Sequence, residues 1–86
     1  MVTAGGPGRR TLILPPGEVH EVVAADWADT LLVVERGELD VECRSGRRAR
    51  FAAGAVLTLA QLPVRRLHSC GPEPLALCAV TRRRDR

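Results

Sequence analysis

The chain has 86 residues, enough for one domain with a small core and too few for a second domain. Hydrophobic residues make up 45% of it and are mostly Ala, Val and Leu, with one Phe, one Trp and no Tyr, which favours strands over long helices. The formal net charge of +3 is concentrated near the ends, in GRR (8–10) and RRRDR (82–86), without the interleaved aromatics of nucleic-acid binders, so we expect no nucleic-acid partner.

The sequence shows no pattern typical of export or membrane insertion. No apolar run approaches the roughly 20 residues that cross a bilayer, and MVTAGGPGRR lacks the apolar centre of a secretory signal. The three cysteines, Cys43, Cys70 and Cys78, have no zinc-type spacing, and their odd number indicates free thiols. We therefore predict a cytoplasmic protein with no membrane partner.

The first third of the chain is predicted to form two strands separated by the turn PPG. His20 lies in the second of them, in the segment EVHEVVA. Trp27 comes just before the next strand, in the segment ADWADT. The segment VHEVVAADWA could form a short helix, and no other part of the chain carries a helical stripe.

The clearest strand is GELDVEC (37–43), in which apolar and acidic residues alternate strictly. Its period of two places Leu39, Val41 and Cys43 on one face and the acidic residues on the other. The apolar run TLLVVE precedes it, and RSGR follows it, with Gly46 suited to a tight turn. These segments predict a meander of three strands at about 30–36, 38–44 and 47–52.

The second half of the chain continues with short strands separated by Gly and Pro. The segment AVLTLA (55–60) is followed by VRRLHSC (64–70), the turn GPEP and the apolar run LALCAV (75–80). Roughly seven short strands with regular turn signals favour a sandwich or a barrel, because closure protects the edges of a small all-β domain. We therefore predict an all-β fold.

The order of these turns resembles the cupin family, whose members are small double-stranded β-helix barrels of the jelly-roll type. The hairpin VVERGELDVE is similar to the first cupin motif, which would end at Gly37, and AAGAVLTLA is similar to the start of the second motif at Gly54. The resemblance implies a cupin-type jelly-roll barrel over residues 11–81, between a flexible N-terminal arm (1–10) and an Arg-rich C-terminal tail (82–86). It concerns the fold more than the function.

The same resemblance indicates where a cupin would bind its metal ion. Of the five signature positions of the second motif, only Gly54 matches. An iron, manganese or zinc ion would need three or four nitrogen or oxygen ligands, so we expect no metal site and no cofactor. The positions of the family's metal ligands hold other residues here, namely Ala24 and Asp26 (or Val23 and Ala25) for the histidine pair of the first motif, Thr30 for its glutamate and Arg65 for the histidine of the second motif.

His68 and Cys70 are close enough in sequence to be half of a metal site. In VRRLHSC, the large apolar residue Leu67 marks the core face. A period of two then turns Arg65 and Ser69 inward. It turns His68 and Cys70 outward, where two ligands alone are too few to hold a metal ion.

An inward Arg65 would lie among aliphatic side chains, where a guanidinium group must be paired or hydrogen-bonded. One interpretation is an internal salt bridge to Asp26, Asp29 or Glu35. The other is that Arg65 binds a carboxylate or another anionic group of a ligand. The two are compatible, because a carboxylate could hold the side chain until the ligand arrives.

Trp27 and His20 complete the candidate binding residues. Trp27 is predicted either at the rim of the pocket or in the core, whereas Phe51 is predicted to fill the core. His20 could transfer protons, but the sequence assigns it no acidic partner, so we favour a surface strand residue. No Ser/His/Asp or Cys/His arrangement and no phosphate-binding glycine pattern is present.

The leading hypothesis is a metal-free small cupin that binds a small anionic or polar-aromatic molecule in its barrel, as a binding or sensing module. Its ligand-binding residues would be Arg65, Asp26, Trp27 and His20. The alternative is an isomerase, cyclase or lyase that uses His20, Asp26 and Arg65 for acid-base chemistry. A third possibility is a dimerisation module without a ligand.

Strand parity also predicts a homodimer. Leu31 and Val33 should face outward and, with the all-apolar strand LALCAV, form a patch that a small monomer rarely leaves in water. A twofold contact would bury this patch and offset the small core. The predicted inner face consists of Leu32, Val34, Leu39, Val41, Cys43, Phe51, Arg65 and Leu67.

Overall fold

The computed structural model describes the backbone of residues 2–4 and all atoms of residues 8–23, 27–59 and 63–81. Within these ranges the chain forms strands and turns and no α-helix. The strands of the described residues are β1 (Val2–Ala4), β2 (Arg9–Leu14), β3 (Val19–Glu21), β4 (Thr30–Arg36), β5 (Glu38–Cys43), β6 (Arg48–Ala52), β7 (Val56–Thr58), β8 (Val64–Ser69) and β9 (Leu75–Thr81).

The strands form two antiparallel sheets that pack face to face. One sheet has the order β1-β2-β9-β4-β7, and the other has the order β3-β8-β5-β6. Most connections cross from one sheet to the other, which is the jelly-roll arrangement. The predicted all-β jelly-roll fold is therefore confirmed. Because β1 pairs with β2, and β2 begins at Arg9, paired strands begin before residue 11.

The core lies between the two sheets and is almost entirely aliphatic. Leu39 and Val41 of β5 are buried, as their alternation with acidic residues predicts. Phe51 and Cys43 are partly buried and pack against this core. The inward assignment of the remaining apolar positions is confirmed by the burial of Leu32, Val34 and Leu67.

A β-bulge changes the position of Arg65. The pairing of β5 with β8 runs from Glu42 opposite Arg66 directly to Cys43 opposite Val64, so Arg65 is the extra residue. Val64 takes the inward place with 5% of its surface exposed, and the Arg65 side chain is exposed. The prediction that Arg65 faces the interior is therefore wrong, because the bulge breaks the period of two.

The outer face of the four-stranded sheet carries paired charges. Arg66 of β8 binds Glu21 with 2.7 Å between Nε and Oε2, and it binds Glu42 with 3.3 Å between Nη1 and Oε2. Asp40 accepts two hydrogen bonds from Arg48. His68 lies on this face too, as predicted, with Nε2 2.7 Å from Oε1 of Glu42.

The connections between strands gather at two ends of the sandwich. At one end β3 ends and β4 begins, and the connection from β7 to β8 lies there as well. We call it the Trp27 end, after the residue that precedes β4. The opposite Gly37 end holds the turns of Gly17, Gly37, Gly54 and Gly71. Gly37 and Gly54, the two predicted motif glycines, both have a positive φ.

Among the described residues, no helix has the length and apolar character needed to cross a membrane.

Candidate binding site at the Trp27 end

Trp27 heads the fully buried side chains of the described residues by volume. Only 2% of its surface is exposed, and it is part of the hydrophobic core. Of the two positions that the sequence left open for it, the rim and the core, the structure shows the core. Its ring thereby closes the interior at the Trp27 end.

The turn after Trp27 is held by a pair of hydroxyl groups. Asp29 adopts a φ of 55°, which turns the chain into β4. The Thr30 hydroxyl donates to the carbonyl of Ala28 at 3.0 Å and lies 3.1 Å from the hydroxyl of Thr81. Thr30 is 3% exposed, so its hydroxyl joins the start of β4 to the end of β9 inside the structure. These contacts fix the backbone turn that directly follows Trp27.

Arg10 packs against the face of this ring. Its guanidinium carbon lies 4.8 Å from the centroid of the Trp27 ring, a cation–π geometry. Arg10 is half-buried because it shares the inward face of β2 with Leu12 and Leu14. Arg10 was not among the predicted site residues because residues 1–10 were predicted to form a flexible arm, although RRTLIL alternates with the period of a strand.

His20 lies at the edge of the same ring. It pairs with Leu67 across β3 and β8, so its side chain lies on the inward side. The ring centroids of His20 and Trp27 are 6.2 Å apart with an interplanar angle of 81°, an edge-to-face contact. His20 lies in a strand, as predicted, and is partly buried. The structure thus brings two of the predicted site residues together.

Further positive charge lies at this end of the sandwich. Arg44 is exposed in the turn after β5, and its N–H donates to the carbonyl of Pro63 at 2.8 Å. Arg65 is exposed at the bulge of β8, and its carbonyl accepts the N–H of Val22 at 2.9 Å. The predicted site residue Asp26 lies outside the described residues. The described arginines favour the approach of an anion.

Known proteins were compared with both the sequence and the structure. The sequence matches no protein-family model and no curated protein. The structure is similar to the Cupin_2 domain of an XRE family transcriptional regulator from Enterobacter cloacae, with a TM-score of 0.70 and 18% sequence identity over 88% of this chain and 81% of that chain. The chain has a cupin fold. This cupin fold is also similar to the protein NMB1881 from Neisseria meningitidis, with a TM-score of 0.55 and 14% identity over 94% of this chain and 81% of that chain.

The described residues do not fit a metal ion of the kind that cupins bind. Arg65, at the position of a cupin metal histidine, is an exposed cation. Thr30 is at the position of the metal-binding glutamate, and its hydroxyl group is hydrogen-bonded to the carbonyl of Ala28 and lies beside the hydroxyl group of Thr81. In the described part of the chain, no group of three or more His, Cys, Asp or Glu side chains is placed to hold a metal ion. The donor chemistry at these positions is therefore not that of a metal centre.

The interior of this cupin fold is filled by its own side chains. The inward residues of both sheets form one buried apolar cluster that includes Trp27. A depression of about 310 Å³ lies instead at the Gly37 end, between Glu38, Glu73 and small residues. The chemistry suited to an organic anion, a guanidinium group beside an indole and an imidazole, lies at the Trp27 end.

Proposed function

We propose that the protein binds a small organic anion at the Trp27 end and acts as a binding or sensing module. The carrying observation is the stack of Arg10 on the face of Trp27 with His20 at the ring edge. The guanidinium group would bind a carboxylate through two parallel hydrogen bonds. The partly exposed imidazole of His20 would pack against an aromatic or apolar part of the ligand, and the buried indole ring of Trp27 would hold Arg10 in place.

The proposed site lies at one end of the sandwich instead of between the two sheets, because aliphatic side chains fill the interior. We keep Arg65 as an outer contact of the site, since it is exposed at the start of β8, at the same end as Trp27. We also keep Asp26, which directly precedes Trp27 in sequence. Both assignments are proposals about ligand contacts.

The proposed role as a metal-free sensing module is supported by two observations. The residues at the cupin ligand positions are poor metal donors, as Thr30 and Arg65 show. A structurally similar cupin domain belongs to a transcriptional regulator. Three free thiols, Cys43, Cys70 and Cys78, support a reducing compartment such as the cytoplasm for this role.

The fluorescence of Trp27 tests the proposal directly, because it is the one tryptophan of the chain. Benzoate, phenylacetate and 4-hydroxybenzoate are titrated, with benzyl alcohol as a neutral probe. We expect the carboxylates to change the emission and, near 100 times their dissociation constant, to raise the Tm by about 10 °C. If no carboxylate changes the emission or the Tm, the proposal is wrong.

A pair of arginine variants shows whether the anion binds at this site. Arg10→Met removes the stacked guanidinium group and should weaken carboxylate binding about 10- to 100-fold. Arg50→Met removes the same charge from an exposed position on the outer face of β6 and should leave binding unchanged. Equal weakening by both variants would mean that only the net charge of the protein attracts the anion.

A second candidate function is catalysis by an isomerase, cyclase or lyase at the same end. It is favoured by the half-buried position of His20, which suits a general acid or base. Turnover should then be lost in His20→Gln, Asp26→Asn or Arg65→Met while thermal unfolding stays cooperative. Retention of turnover in all three variants would exclude this function.

A further inference from the structure

Strand β6 forms one edge of the four-stranded sheet and is exposed along nearly its whole length. The order of that sheet is β3-β8-β5-β6, so β5 is the one described strand with which β6 pairs. Every residue of β6 except Phe51 is exposed. An edge of this kind presents backbone groups to which a strand of another chain can add.

The hydrogen bonds of the β5–β6 hairpin determine which backbone groups of β6 point away from the sheet. The N–H of Cys43 donates to the carbonyl of Arg47 at 2.8 Å, so these two residues form a hydrogen-bonded pair. Such pairs alternate along an antiparallel ladder, so Ala49 also directs its backbone groups at β5. The N–H and C=O groups of Arg48 and Arg50 therefore point away from β5, where no described strand pairs with them. We call these outward groups the β6 edge.

The side chains on the outer side of the β6 edge are cationic. Arg48 binds Asp40, with 2.6 Å between Nη2 and Oδ2. Arg50 lies 3.8 Å from Glu38, measured from Nη1 to Oε1, and 64% of its side chain is exposed. An added strand would place its own side chains next to these two arginines, and acidic side chains would be stabilised there.

The inward side of β6 is apolar and incompletely covered. Ala49 lies opposite the buried Val41 but is itself exposed, so the five-stranded sheet leaves it uncovered. Phe51 is partly buried and packs against the core. Apolar side chains of an added strand would therefore bury surface that the domain leaves in water.

We propose that the β6 edge binds an extended acidic segment of a partner protein, which adds to the sheet as an antiparallel strand. Its acidic residues would lie beside Arg48 and Arg50. Its apolar residues, alternating with them, would cover Ala49 and Phe51. Strand β5, with the sequence ELDVEC, has this alternation and pairs antiparallel with the other side of β6.

The charge of β6 favours an acidic partner over a second copy of this chain. Pairing of two β6 strands around Ala49 would put the arginines of one copy directly opposite those of the other, and like charges in that position are destabilising. The proposal is also independent of the anion site, because His20 lies on β3, at the opposite edge of the same sheet.

Peptide binding to the natural chain tests the proposal. A fluorescein-labelled, capped peptide of alternating glutamate and valine should raise its fluorescence anisotropy on binding, whereas the corresponding peptide of lysine and valine should not. Arg50→Glu should weaken binding of the glutamate peptide at least about tenfold. The matched control Arg36→Glu makes the same change at an exposed position of the other sheet and should leave binding unchanged. Absence of binding, or equal weakening by both variants, would overturn the proposal.

Methylation of the peptide backbone shows whether the peptide adds as a strand. Residues opposite Arg48 and Arg50 would direct their N–H groups at β6, so methylation of the glutamate amides should abolish binding. Methylation of the valine amides should retain it, because those N–H groups would point away from β6. Equal binding by both methylated peptides would mean that charge alone attracts the peptide, and the proposal would be wrong.

Hydrogen exchange of the Arg48 and Arg50 amides identifies what covers the β6 edge. Exchange should be fast in the natural chain alone and should slow when the glutamate peptide is added, because the peptide carbonyls then accept these N–H groups. Slow exchange without peptide would show that a second copy already pairs with the edge and would overturn the assignment of an acidic partner.

Discussion

His68 and Glu42 form a hydrogen bond between neighbouring strands, with 2.7 Å between Nε2 of the imidazole and Oε1 of the carboxylate. The carboxylate also receives Arg66, whose Nη1 lies 3.3 Å from Oε2. Because a carboxylate only accepts hydrogen bonds, Nε2 of His68 carries the proton. His68, which with Cys70 resembles half of a metal site in the sequence, is thus part of the ion-pair ladder of Glu21, Arg66, Glu42 and His68. The Cys70 thiol instead lies 3.5 Å from the carbonyl oxygen of Glu38.

These contacts predict how stability depends on pH. The hydrogen bond from His68, followed by the charge of Arg66, lowers the pKa of Glu42 below its ordinary value of 4.5. Glu42 therefore stabilises the folded state fully at pH values above the pKa that its carboxyl group has in the unfolded chain. This stabilisation is lost as the pH falls through the lower pKa that the group has in the folded state. Urea unfolding at a series of pH values should show stability falling below about pH 4.5.

Two glutamine variants test whether the ion pairs of Glu42 cause this loss of stability at low pH. Glu42→Gln should lower the free energy of unfolding at neutral pH and make the decline below pH 4.5 shallower. Glu73→Gln, at an exposed turn residue outside the ladder, should leave the curve as in the natural chain. Parallel curves for Glu42→Gln and the natural chain would contradict the assignment.

Ser69 and Thr30 predict opposite effects of removing a buried hydroxyl. Ser69 is 2% exposed, and its Oγ has no hydrogen-bond partner among the described residues. Ser69→Ala should therefore raise the free energy of unfolding by about 1 kcal/mol, measured by urea unfolding. Thr30→Val removes a hydroxyl bonded to Ala28 and should lower it by about 1 kcal/mol. Destabilisation by Ser69→Ala would show that its hydroxyl has a partner in solution.

Alanine substitutions at Gly37 and Gly46 distinguish the cost of backbone strain from the cost of a steric clash. Both have a positive φ, but a Cβ on Gly37 would lie 2.7 Å from the carbonyl oxygen of Pro74, whereas a Cβ on Gly46 would meet nothing within 4 Å. Gly46→Ala should lower the free energy of unfolding by about 1 kcal/mol, because alanine is strained in the left-handed backbone conformation. Gly37→Ala should cost at least about twice that in the same unfolding assay. Equal costs would mean that the turn moves away from Pro74 freely.

The bulge in β8 predicts that Val64 supports the fold more than Arg65. Val64→Ala removes a buried side chain and should lower the free energy of unfolding by about 2 kcal/mol. Arg65→Ala changes an exposed side chain and should stay within about 0.5 kcal/mol of the natural chain. A larger loss for Arg65→Ala would restore the inward position predicted from period two.

The short-range pattern of the sequence was sufficient for the strands and for most of their faces. Alternation in GELDVEC predicts the burial of Leu39 and Val41 because successive side chains of a strand point to opposite sides. The same parity separates Leu32, fully buried, from Leu31, which is 46% exposed. Turns at glycines such as Gly37 could be predicted from the sequence because only glycine adopts a positive φ without strain.

The composition of the candidate site depended on contacts between distant parts of the chain. Parity with Leu67 predicted an inward Arg65, and the register of β8 against β5 places Val64 inward instead. Arg10 and Trp27 meet because β2 and the connection before β4 reach the same end of the sandwich. Local periodicity contains no information on strand register or on which strand ends meet, since hydrogen bonds and packing between distant segments determine both.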